Sequence, residues 1–169
     1  MIGISAVRGL VAGTLVLAAG CGSNMMDPEL ATQLLAVSPR GGTANVSVST
    51  DIVLTFNQTM MTGMEQYLAL HQGTVTGPTI SMSCNWSDGQ KTLRCRPGQP
   101  LAAATRYTVH VGGGMMDGSG KRIGMDRNGM RMGGEWATGG MMGGQTGMMG
   151  TGWMHTNGSY GMVFEFTTQ

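Results

Sequence analysis

Residues 92–124 read TLRCRPGQPLAAATRYTVHVGGGMMDGSGKRIG, and this stretch decides the fold. Within it, RYTVHV (106–111) alternates, so an extended backbone puts Tyr107, Val109 and Val111 on one apolar face. His110 falls on the opposite face and is expected to meet solvent there, as a structural residue of the strand. Glycine-rich turn signals follow at 112–120, which suits a short strand better than a helix.

The segment's start, TLRC, completes a second pattern with the residues before it. Asp88-Gly89 is a strong turn signal inside a hairpin. A turn centred on Gly89–Gln90 sets Trp86 opposite Leu93 and Cys84 opposite Cys95. Ile80, Met82, Cys84 and Trp86 then share one face, with Leu93 and Cys95 across from them. Directly opposed residues of an antiparallel pair lie within disulfide range. The competing use of Cys84 and Cys95, as metal ligands, lacks a second cysteine pair or a nearby histidine, so a disulfide is expected.

Other short strands flank these. DIVLTF (51–56) places Ile52, Leu54 and Phe56 on one face, and GMVFEFTT (161–168) aligns Met162, Phe164 and Phe166. LLAVSP ends at a proline, and YLALH (67–71) is short and half apolar, with His71 at its end. Short strands separated by Gly, Pro, Asp and Asn turns predict an all-β sandwich. The chain of 169 residues has 30 glycines and 18 methionines, so a packed core must come from part of it, one domain with appendages.

Several of these pieces together resemble the bacterial Ig-like domain of S-layer and surface proteins. The resemblance rests on Ser38-Pro39, Phe56, Pro97, Leu101, Thr105, Tyr107, Val109, Val111, Asp117, Gly120, Phe164 and Phe166, and spans residues 35–124 and 160–168. It implies an Ig-like β-sandwich serving as a scaffold or adhesion-type module, without catalytic residues. It also implies that Asp117 organises a tight turn by bonding nearby backbone amides. This chain departs from the pattern at Lys121-Arg122, where Asn or Asp usually follows the turn glycine. A second departure is the insertion of residues 125–159 before the last strand.

The N-terminal twenty residues read as a targeting segment. Arg8 precedes an apolar run from Gly9 to Gly20, too short to span a bilayer comfortably. Leu17-Ala18-Ala19-Gly20-Cys21 resembles the lipobox of bacterial lipoproteins, which implies that Cys21 is lipid-acylated after cleavage and anchors the chain to a membrane. Gly22 after that cysteine favours the outer membrane, facing the periplasm or the surface. The expected division is thus a signal peptide over 1–20, a tether over 21–34 and the Ig-like domain over 35–169. Asp27 and Pro28 could start a turn or two of helix in the tether.

Without residues 1–20, nine Lys and Arg balance nine Asp and Glu. No basic stripe exists for phosphate neutralisation, so nucleic acid is not an expected partner. Catalytic templates are equally poor, and the chain is not expected to be an enzyme. GSGKRIG (118–124) lacks the first glycine of a phosphate loop and has Arg122 where Ser or Thr is required. No Gly-x-Ser-x-Gly elbow occurs, and His71, His110 and His155 lie far apart in sequence.

The compositional anomaly is GGMMGGQTGMMGTGWMHTNG, residues 139–158. Between 115 and 154 lie Met115, Met116, Met125, Met130, Met132, Met141, Met142, Met148, Met149 and Met154, often paired and spaced by glycine. Thioethers are soft and neutral at every pH, so they bind Cu(I) or Ag(I) outside the cytoplasm. Met141, Met142, Met148, Met149, Met154 and His155 form the candidate ligand set, with Trp153 able to cover a bound cation. An adaptable contact loop for an envelope protein partner, an oxidation sink and a low-complexity expansion explain the same residues. Met60, Met61 and Met64 belong near one end of the sandwich. Glycine-rich chain is costly to order, so the insertion is expected to be mobile in the free protein.

Overall fold

The computed structural model describes residues 31–137 and 161–169. In chain order these form β1 (Leu34–Ser38), β2 (Thr43–Val46), β3 (Ile52–Phe56), a 3-10 turn (Met64–Tyr67), β4 (Leu68–Gln72), β5 (Thr79–Ile80), β6 (Met82–Ser87), β7 (Thr92–Pro97), β8 (Arg106–Val111), α1 (Asp126–Arg131), β9 (Glu135–Trp136) and β10 (Met162–Thr168). Two sheets result. One runs β1-β3-β7-β6, and the other runs β2-β10-β8-β4-β5 with β9 also pairing β10.

The expected alternation builds the interior. Ile52, Leu54 and Phe56 of β3 are buried, with Leu93 and Cys95 of β7 beside them. Tyr107, Val109 and Val111 of β8, together with Met162, Phe164 and Phe166 of β10, belong to the same apolar cluster. Each such side chain contributes about 1.5–3 kcal/mol by leaving water. The Tyr107 ring stacks on Phe166 at 5.7 Å between centroids. Its hydroxyl accepts the Ala102 amide proton at 2.8 Å, a tyrosine corner fixing the chain's entry into β8.

The hairpin forms in the expected register, with Trp86 opposite Leu93 and Cys84 opposite Cys95. Asp88, Gly89 and Gln90 take φ values of 52°, 63° and 62°, the left-handed region that suits Asp-Gly. Cys84 and Cys95 are joined in a disulfide. Trp86 packs against Phe56 and donates its indole N–H to Glu65 at 2.8 Å, tying the hairpin to the 3-10 turn. Asp51 accepts hydrogen bonds from Arg94 and Arg96 along the outside of β7; both arginines are exposed, so this pinning adds little stability.

Two features exceed the sequence expectation. Pairing begins before residue 35: Leu34 is fully buried in β1, Gln33 bridges Gly124, and the Gly124 amide donates to Thr32 at 2.8 Å. The described start of the insertion is also folded onto the sandwich. Met125 is buried, α1 packs against β1, and β9 extends the second sheet along β10. Two glycines permit this approach. A Cβ at Gly129 would lie 2.9 Å from Met162 Cε, and one at Gly134 would lie 2.6 Å from Phe164 Cε1. The expected helical turn at Asp27-Pro28 lies outside the described residues.

The disulfide closes a short loop, which in the chain-entropy account is worth about 2–3 kcal/mol. The Cys84→Ser/Cys95→Ser double variant is expected to lose about that much in urea-induced unfolding with an unchanged native circular dichroism spectrum. A loss below 0.5 kcal/mol, roughly the scatter of a surface substitution, would contradict the constraint assigned to it.

Candidate functional site

β8 and β10 set the geometry of any site on this protein. They pair antiparallel from Val111 opposite Met162 to Arg106 opposite Thr167. The chain therefore leaves the sandwich after Val111 and re-enters at Met162 from the same end. Met60, Met61 and Met64 gather at that end too: Met60 bridges Asp117, the Met61 amide donates to the Met116 carbonyl at 3.1 Å, and the Met116 amide approaches Met64 Sδ at 3.1 Å.

The methionines of this region divide. Met115, Met125 and Met132, which share the methionine-rich region but not the candidate ligand set, are buried in the hydrophobic core with Met60, Met64 and Met162. They are unbranched apolar fillers there, occupying irregular space between glycine-rich segments. Met130 is exposed and Met116 is partly buried. Met141, Met142, Met148, Met149, Met154 and His155 lie outside the described residues, as do Trp153 and Cys21. Of the insertion expected to be mobile, residues 125–159, the part up to 137 packs on the sandwich and the rest lies outside the described residues. Among the described residues, no group of three or more His, Cys, Asp and Glu is placed to hold a metal ion, and no helix is long and apolar enough to cross a membrane.

The turn after β8 is a compact polar centre. Asp117 Oδ1 accepts from the Ser119 amide at 2.9 Å, the Ser119 hydroxyl at 2.6 Å and the Lys121 amide at 2.9 Å; Oδ2 accepts from the Thr32 hydroxyl. Gly120 takes φ 80° to close the turn. Burial works to raise the Asp117 pKa, but the hydroxyls of Ser119 and Thr32 and the two amides outweigh it and bring the value down to about 2. Every contact of this carboxylate goes to the turn or to the strand-entry segment at Thr32, so its role is to staple them.

A second feature was not legible as such. His110, expected to face solvent, is fully buried, and His71 is 2% exposed. Both lie on the outer face of the second sheet, opposite the core. Ala69 pairs with His110 and His71 with Thr108 across β4 and β8, so the two histidines are diagonal neighbours. Their ring centroids are 6.1 Å apart, tilted by 46°. The Gly77 carbonyl lies 3.1 Å from His71 Nδ1. Burial pushes the His71 pKa below its ordinary value, partly offset by that carbonyl. Around them Ala69, Thr108 and Val163 are also buried. The available signal was chemical: a solvated sheet face normally alternates to charged residues, whereas the paired outer positions of β4 and β8 here are Ala69, His71, Thr108 and His110. The charged pair Arg106–Glu165, at 3.6 Å, borders this patch, with Glu165 opposite Thr108 and diagonal to His110.

Comparison with known proteins matches residues 29–129 to the family model described as bacterial Ig-like domain. No match was found among curated protein sequences. Among solved structures, L,D-transpeptidase 1 of Mycobacterium tuberculosis is similar at 22% identity over 47% of this chain and 35% of that one, with a TM-score of 0.38. The surface layer protein SbsC, domains 1–6, is 19% identical over 56% of this chain and 12% of its own, with a TM-score of 0.40. An L,D-transpeptidase from Mycobacterium smegmatis is 17% identical over 56% and 39%, again at 0.40. The chain thus spans well under half the length of these proteins, and no function follows from the likeness.

Asp117 gives a pH test with a defined sign. Its folded-state pKa lies below the unfolded value of 3.8, so its stabilisation is present above that value and is lost as pH falls toward 2. Asp117→Asn is expected to lower stability at pH 7 by about 2–3 kcal/mol, the range for a hydrogen-bonded charged group. The variant is also expected to flatten the fall of the melting temperature between pH 4 and 2. Parallel curves for variant and parent over that interval would show that the carboxylate is not what staples the turn.

Proposed function

This chain belongs to the bacterial Ig-like domain family, and from that premise we propose that it is a cell-envelope lipoprotein whose sandwich is a non-catalytic structural or binding module. In this reading Cys21 holds the chain to the membrane, in the outer membrane, and the Met- and Gly-rich segment is presented to an envelope protein partner. The observation that supports it is the pairing of Val111 with Met162: everything between these residues departs from and returns to one end of a rigid scaffold. Such loops on a firm sandwich are where binding functions concentrate. Methionine and glycine suit a surface that must adapt to what it touches.

A second reading is favoured by composition. Met141, Met142, Met148, Met149, Met154 and His155 offer neutral, soft donors for Cu(I) or Ag(I). The two readings part on a substitution that keeps volume and apolarity but removes sulfur. Changing those five methionines to leucine leaves a contact surface working and abolishes a thioether site.

The anchor and the contact are testable in intact bacteria. The parent chain is expected in the membrane fraction and Cys21→Ser in the soluble fraction. A photo-crosslinking residue at position 148 is expected to give one discrete heavier adduct, which persists when the remaining four methionines become leucine. Membrane retention of the serine variant would refute the lipid anchor. The absence of a discrete adduct would refute the presented contact loop.

A further inference from the structure

We propose that His71 and His110 form a two-nitrogen binding site for a monovalent soft ion, Cu(I), on the outer face of the β4–β8–β10 sheet. Both proposed ligands are described residues outside the methionine ligand set, so the site is tested separately from the readings above.

The first support is the state of the His71 ring. A carbonyl can only accept a hydrogen bond, so the Gly77 oxygen 3.1 Å away places the proton on Nδ1. The lone pair is then on Nε2, which is buried and has no hydrogen-bond partner among the described residues. Leaving such an acceptor buried and unused is costly. An imidazole whose Nδ1–H is held by a backbone carbonyl while Nε2 is left open is the arrangement of a metal-ligating histidine, with the carbonyl fixing tautomer and ring orientation.

The second support is distance. The register makes His71 and His110 diagonal neighbours on one face, and their centroids lie 6.1 Å apart. An imidazole nitrogen binds such an ion at about 2.0 Å, which puts the ion roughly 3.1 Å from each ring centre. Two rings on opposite sides of one ion therefore have centroids about 6 Å apart. The observed centroid separation of 6.1 Å matches that spacing.

Charge selects the ion. Ala69, Thr108 and Val163, the immediate neighbours on this face, are uncharged. By register the nearest carboxylate there is Glu165, opposite Thr108 and diagonal to His110, and it is paired with Arg106 at 3.6 Å, so those two charges offset each other. A divalent ion buried between two neutral rings would keep its full charge without a compensating anion, and the solvation cost grows with the square of that charge. A monovalent ion reduces that cost, and Cu(I) accepts imidazole donors at low coordination number. Ag(I) shares these preferences and serves as a redox-inert probe.

The test uses the full 169-residue chain in mild detergent, in which Met141, Met142, Met148, Met149 and Met154 are leucine and His155 is Gln. Anaerobic Cu(I) is titrated against a chromophoric chelator. One equivalent is expected to bind, and His71→Ala or His110→Ala in the same background is expected to weaken it at least tenfold. In parallel, with both histidines native, Ag(I) is added to the 15N-labelled protein and the imidazole nitrogens are followed by NMR. Nε2 of His71 and one ring nitrogen of His110 are expected to shift together at one equivalent, which decides the matter even if an alanine variant fails to fold. Binding by the parent chain that vanishes in the leucine background would overturn this site and support the methionine one. Unmoved imidazole nitrogens at saturating Ag(I) would overturn it outright, as would full affinity in a folded alanine variant.

Discussion

The antiparallel ladder between β8 and β10 is the constraint on which the rest of this structure depends. Its partners are separated by the whole of residues 112–161, yet they pair in unbroken register over six positions from Val111–Met162 to Arg106–Thr167. Closing so long an excursion costs little more than closing a shorter one, because loop entropy grows only with the logarithm of length. The return is large: Phe164 and Phe166 enter the core beside Val109 and Tyr107, and β10 then supplies both β2 and β9 with a partner. Without β10 the second sheet would lose its centre.

That closure explains how part of the methionine-rich region joins the core. Near the ladder the chain is drawn against the sandwich, and Met115, Met125 and Met132 fill the spaces that glycine-rich backbone leaves open. Gly129 and Gly134 lie where the backbone passes over Met162 and Phe164 too closely for a Cβ. The same residue types that give a flexible appearance in composition are, at these positions, requirements of close packing. Farther along the chain, residues 139–158 belong to the segment proposed above as a contact loop.

Much of the sandwich was legible because its signals are local. The alternation in Ile52-Leu54-Phe56, in Tyr107-Val109-Val111 and in Met162-Phe164-Phe166 is written within each strand. Asp88-Gly89 fixes the register that joins Cys84 to Cys95. What escaped depends on distant chain. β2 is four residues long, includes Asn45 at φ 57°, and pairs in parallel with a strand more than a hundred residues later. α1 carries a glycine in mid-helix and is held by packing rather than propensity. His110 was misplaced because alternation tells which face a residue occupies, and says nothing of whether that face is covered. The candidate site shows the same limit: neither His71 nor His110 suggests a partner until the β4–β8 register brings them together.

The most direct test of this account is native-state hydrogen exchange, resolved by residue, across β8 and β10. The amides of these two strands are expected to exchange only through global unfolding, with a free energy equal to that from urea titration, while β5 and β9 open first. If instead β8 and β10 exchanged through a smaller opening that left β3 and β7 protected, the ladder would be an accessory of the first sheet, and the dependence argued here would be reversed.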